Sequence, residues 1–165
     1  MTIGQSLLPE FEHEMGPTRK VLERVPMDKG DWKPHPKSFA LWNLAQLVSW
    51  MPGWIGQALT NPFLDLKQTG GYKRDAMGTM LEGFDENVKK SVAALKTAKD
   101  EDFGKTWQLK MGDQVLWSAP RTEVVRNHLN HLIHHRAQLG VYLRLLDVPV
   151  PAMYGPSADE KTFSF

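Results

Sequence analysis

Apolar residues recur at steps of three and four over four stretches of the chain. In the first, Leu7, Phe11, Met15, Thr18, Leu22 and Val25 share one helical face. Ser6 is the expected N-cap, and Pro9 falls in the first turn, where no backbone donor is lost. Pro17, directly after Gly16, predicts a kink or a split. Residues 26–37 then form a loop, in which Pro34 and Pro36 hold His35 extended.

Ser38 is the expected cap of a second helix, with Leu44, Leu47 or Val48, Met51, Ile55 and Ala58 as its apolar stripe. Pro52 threatens a kink there too, and Thr60-Asn-Pro ends the helix. A long loop carrying Gly70-Gly71 leads to a third helix from near Asp75. Its stripe is Met77, Leu81, Phe84, Val88, Val92 and Leu95. Residues 100–120 abandon the helical period. Trp107, Leu109 and Met111 alternate, Gly112-Asp113 supplies a two-residue turn, and Val115 and Trp117 alternate again, which predicts a small β-hairpin over 107–117. A fourth helix spans 121–147, and the Pro-rich tail 148–165 is irregular. The expected architecture is all-α: an antiparallel four-helix bundle with one hairpin before the last helix.

Composition narrows the function classes. A chain of 165 residues suits one domain, 1–165, and can bury about 70% of its unfolded surface. It has no cysteine, which excludes disulfides, thiolate metal sites and cysteine nucleophiles and suits a cytoplasmic protein. A formal charge of +1 leaves no footprint for nucleic acid or an anionic membrane. The opening residues carry early acids and no long apolar run, so no signal peptide is expected, and no stretch approaches the ~20 apolar residues of a membrane span. Glu10, Glu12 and Glu14 read as a solvated face. Six tryptophans, four of them at 32, 42, 50 and 54, point to a large core or a walled pocket.

The last helix carries the chemistry. Val124, His128, His131, His135, Leu139, Tyr142 and Leu146 form a stripe in which three histidines replace apolar residues. His131 and His135 lie one turn apart, within reach of one metal ion. His128 and His135 are about 10.5 Å apart along the axis, too far to share an ion easily with His131. His134 points sideways. Hydrogen-bonded core histidines fit the spacing as well as a metal site does. Leu132 follows His131, so there is no HExxH protease motif, and neither a phosphate loop nor a GxSxG elbow occurs.

The blocks His131-Leu-Ile-His-His-Arg-Ala-Gln-Leu, Tyr142-Leu-Arg-Leu-Leu, Val148-Pro-Val-Pro and Tyr154-Gly-Pro-Ser resemble the C-terminal signature of the DinB-like superfamily. Trp32-Lys-Pro-His-Pro-Lys-Ser and the region from Leu44 to Met51-Pro-Gly-Trp resemble its second-helix region. The resemblance implies a four-helix bundle, often a homodimer, with nickel or zinc held by three histidines. Some such proteins are thiol-dependent S-transferases or isomerases. Two ligands carry over, His131 and His135. The third belongs on the second helix, four residues before the Met-Pro-Gly-Trp block, where this chain has Leu47 between Gln46 and Val48. His35 and His128 are the candidate substitutes; Asn43 is a poor ligand, and His13 lies off the stripe as an expected surface residue. Trp50, Arg136, Gln138 and Tyr142 are candidate pocket residues. Arg136 would contact a substrate anion, close a dimer or be solvated. Tyr142 would donate to a ligand or pack in the core. The expected function is therefore a binding protein for a small ligand, with a two-histidine centre that holds a divalent metal weakly or not at all. One alternative is a thiol S-transferase with a non-histidine third ligand; another is a stress-response dimer without a ligand.

Overall fold

In a computed structural model, which describes residues 1–162, the chain is mostly helical with a small three-stranded sheet. The end of the expected irregular tail, 163–165, lies outside the described residues. Four long helices, α1 (Ile3–Glu23), α2 (Leu41–Thr60), α3 (Met77–Thr97) and α5 (Arg121–Leu145), pack around a shared core; α4 (Asp100–Gly104) is short. No helix among the described residues is long and apolar enough to cross a membrane.

The caps differ from expectation. Thr2, not Ser6, caps α1: its hydroxyl accepts from Gln5 N at 3.2 Å, and Gln5 Oε1 accepts from Thr2 N at 2.9 Å. Because α1 starts at Ile3, Pro9 lies inside the helix rather than in its first turn, and Pro17 does not split α1, which runs on to Glu23. Buried residues on both sides of it, Phe11, Met15, Thr18, Val21 and Leu22, belong to the same packed face, and that burial outweighs one lost backbone bond. Ser38 does not cap α2. Ala40 holds that position without a side-chain bond, and the loop backbone substitutes: Leu41 N donates to Trp32 O at 3.0 Å and Trp42 N to Gly30 O at 3.0 Å. Helix α2 continues through Pro52, whose carbonyl accepts from Ser91 Oγ at 2.6 Å.

Helix α3 begins at Met77 rather than Asp75, and its buried face is Met80, Phe84, Ser91, Ala94 and Leu95. Met77, Leu81, Val88 and Val92 are only partly buried beside it. Small residues decide the rotation. Gly53 and Gly56 of α2 let Asn87 and Ser91 approach so closely that a Cβ at either glycine would meet a side-chain atom at 2.8–2.9 Å.

The hairpin is present, as β2 (Thr106–Met111) and β3 (Gln114–Pro120), antiparallel around Gly112 at φ +63°. It is not the whole sheet. A third strand, β1 (Phe63–Asp65), runs parallel to β2 with Leu64 opposite Leu109. Asp65 ties the turn to β1 by accepting from Gly112 N at 2.9 Å and Lys67 N at 3.0 Å, and these bonds hold its carboxyl below the usual range. Trp107 docks the sheet on the helices through Ala58, Ala119 and Val124.

Candidate functional site

Two contacts set the register of α2 against α5. Tyr142 Oη donates to Phe39 O at 3.2 Å, and the Trp54 ring meets the rings of His128 and His131 at 5.6 and 5.8 Å. The helices therefore run antiparallel. Leu47, two turns before Trp54 and on the same side, lies level with the turn that carries His131 and His135. By this register position 47 on α2 stands at the height of the two histidines on α5, and it is a buried carbon side chain, 6% exposed.

The histidine pair is closed on itself. His135 Nε2 and His131 Nε2 are 2.9 Å apart, and His135 Nδ1 lies 2.7 Å from Gln138 Oε1. With Gln138 Oε1 as acceptor, His135 carries its proton on Nδ1, and its Nε2 accepts from His131 Nε2–H. Burial pushes both imidazoles below their usual range; the charge of neighbouring histidines adds to this, while the Gln138 bond offsets part of it at His135, so the neutral forms are favoured. No group of three or more His, Cys, Asp or Glu side chains able to hold a metal occurs among the described residues. The three-histidine centre implied by the resemblance does not fit this donor set.

Neither substitute ligand completes it. His35 is exposed, and its Nδ1 accepts from Lys37 N at 3.2 Å within its own loop. His128 turns inward between Trp54 and Trp107, with ring centroids at 5.6 and 5.8 Å. Both its ring nitrogens are buried without a partner among the described residues, and desolvation lowers its pKa to about 4.

The histidine stripe is not the core line of α5. Val124, Leu139 and Tyr142 of the expected stripe are buried, but between them Val125, Leu129, Leu132 and Arg136, one residue round, take the core, so His131 and His135 sit half-buried at its edge. Arg136 is therefore not solvated. It is 3% exposed and forms an ion pair with Glu14 at 2.6 Å; Glu14 is 5% exposed and not part of a solvated face. The same guanidinium donates to Glu14 O at 3.1 Å, Thr18 Oγ1 at 3.2 Å and Tyr154 Oη at 2.8 Å. Tyr154 Oη donates in turn to the Glu14 carboxylate at 2.9 Å, which folds the tail onto α1. Burial, and then that bond, push the Tyr154 phenol up. His13 is half-buried and stacks on Tyr154 at 6.4 Å.

A cavity of about 440 Å³ opens beside His135. Gln138 and Tyr142 line it with His135, as do Phe39, Leu44 and Val141. Trp50 is not among its lining residues; it stacks on Tyr72 at 5.3 Å, and Tyr72 meets Phe39 at 5.8 Å. The sequence reading missed Lys37 and Ser38, which line the cavity from the loop before α2. Their only signal was position, just after the Pro-His-Pro segment.

The DinB family's sequence profile matches residues 2–162. The chain belongs to the DinB family. Solved DinB-like proteins share the fold. One from Bacillus cereus is 21% identical with a TM-score of 0.73, covering 93% of this chain and 98% of that one. One from Bacillus subtilis is 15% identical with a TM-score of 0.70, covering 95% and 99%. No match is found among curated proteins.

Proposed function

We propose that this DinB-family protein binds a small ligand in the cavity beside His135, and that its two-histidine centre holds a divalent metal only weakly. Its four long helices are read as the family's four-helix bundle. The observation that carries the proposal is Leu47 level with a histidine pair whose Nε2 atoms are bonded to each other. A zinc ion needs three or four protein ligands for a durable site. Here it must separate two bonded imidazoles and complete its shell with water. A homodimer is part of the same reading, supported by Val141 and Leu145, which are 58% and 56% exposed one turn apart on α5.

The test is zinc titration of chelator-treated wild type and Leu47→His. Wild type should bind weakly and unfold at the same temperature with or without zinc. The variant adds a third imidazole where the register places it and should bind about 100-fold more tightly, the upper end of what even supporting groups contribute to metal affinity. Tight stoichiometric binding by wild type, or no gain in the variant, refutes the two-histidine reading.

A further inference from the structure

The cavity beside His135 has a polar end and an apolar wall, and the polar end is rich in donors. Lys37 and Ser38 reach it from the loop and Gln138 from α5, while Phe39, Leu44 and Val141 form the wall. No carboxylate among the described residues lines it. Lys37 makes no ion pair among the described residues, and Ser38 Oγ and the Gln138 amide nitrogen have no protein partner there. The one side-chain amide acceptor at that end, Gln138 Oε1, is engaged by His135. Unused donors and a single cation facing an apolar wall define what fits.

We propose that the cavity selects a small carboxylate with an apolar, ring-sized body. The carboxylate sits at Lys37, Ser38 and Gln138, and the body lies on Phe39, Leu44 and Val141. This rests on the reading of the cavity as the ligand site. A cationic ligand finds no carboxylate to meet it. A dianionic phosphate is matched less well than a monoanion, because among the described residues one lysine supplies the only fixed positive charge and no arginine lines this cavity. Arg136 and Arg144 face a different groove, and each is already paired with an acid. A volume of about 440 Å³ accommodates a ring with a short chain.

The experiment compares 4-phenylbutyrate with its neutral amide, 4-phenylbutanamide, by NMR titration of the metal-free protein. Variants are Lys37→Met and Val141→Trp, each checked for folding by circular dichroism. The expected result is about tenfold tighter binding of the acid, with shifts at His135 and Gln138. Lys37→Met should bring the acid down to the level of the amide without weakening the amide, and Val141→Trp should weaken both. Equal binding of acid and amide, or a preference that survives Lys37→Met, overturns the charge selection but leaves the cavity as a ligand site. A preference seen only with added zinc also overturns it, because metal rather than Lys37 would then hold the carboxylate. If neither probe binds and Val141→Trp changes nothing, the cavity reading fails and the inference with it.

Discussion

His135 and Arg136 are neighbours in sequence and face different surroundings on α5. Arg136 lies on the core line, where Glu14, Thr18 and Tyr154 satisfy its guanidinium and it joins α1, α5 and the tail. His135 is half-buried at the edge, bonded to His131 and Gln138 and open to a cavity. One step along a helix rotates a side chain by about 100°, so adjacent polar residues can meet very different environments. The enclosed constellation holds the fold together; the edge constellation lies open to a cavity. Polarity on a helix therefore does not itself mark a site. What marks it is polarity without enclosure.

The sharpest test of that contrast is to break each side. Glu14→Leu leaves the Arg136 charge buried without its carboxylate, and the loss of one partner of a buried pair costs about 3–5 kcal/mol. Replacing both partners, as Glu14→Leu with Arg136→Met, should recover most of that loss, because no charge is left uncompensated. Urea unfolding of the three proteins measures both effects. A loss below about 1 kcal/mol for Glu14→Leu would mean that the pair is not enclosed as described.

His128 lies between the two cases: inward-facing like Arg136, but unpartnered. Its folded-state pKa of about 4 lies below the ordinary value of 6.5. Between those values the unfolded chain binds a proton that the folded protein refuses. The stability concerned is thus fully present above about pH 6.5 and is lost as pH falls toward 4. Full protonation of the unfolded chain alone is worth about 3 kcal/mol. His131 and His135, lowered in the same direction, add to the slope. In His128→Phe, with a ring that still packs between Trp54 and Trp107, urea midpoints should fall less between pH 7.5 and 4.5 than in wild type. Parallel profiles would show that His128 does not stay neutral in the fold.

Much of this was legible in the sequence. The four helical segments, the hairpin turn at Gly112 and the pairing of His131 with His135 follow from local periodicity. The rest depended on contacts distant in sequence. Strand β1 is three residues long, too short to alternate visibly, and is specified by its pairing with residues more than forty positions away. The caps of α2 come from loop carbonyls, which side-chain rules do not see. The middle of the α5 core line departs by one residue from the expected stripe, because the histidines and the buried line both step by three and four. Counting the second line would have shown Arg136 among leucines, and that in turn demands a buried acid such as Glu14. Lys37 and Ser38 were missed because a loop has no period that points a side chain.

The smallest expected effect belongs to the edge constellation. Replacing both His131 and His135 by Ala removes the bond between them and the bond to Gln138, each worth about 1 kcal/mol in net terms and less where water replaces the partner. Against that, alanine is the strongest helix former, and histidine costs roughly half a kcal/mol more at each interior position. The two terms nearly cancel, so stability at pH 7.5 should change by less than about 1 kcal/mol. At pH 5 the variant should lose less stability than wild type, because two imidazoles that resist protonation in the fold are gone. Weak zinc binding should disappear at the same time. Unfolding and zinc titration of this one variant thus separate the two roles on α5. A large loss of stability would place the histidines with Arg136 as parts of the fold, and a small loss with ligand binding abolished keeps them at the site.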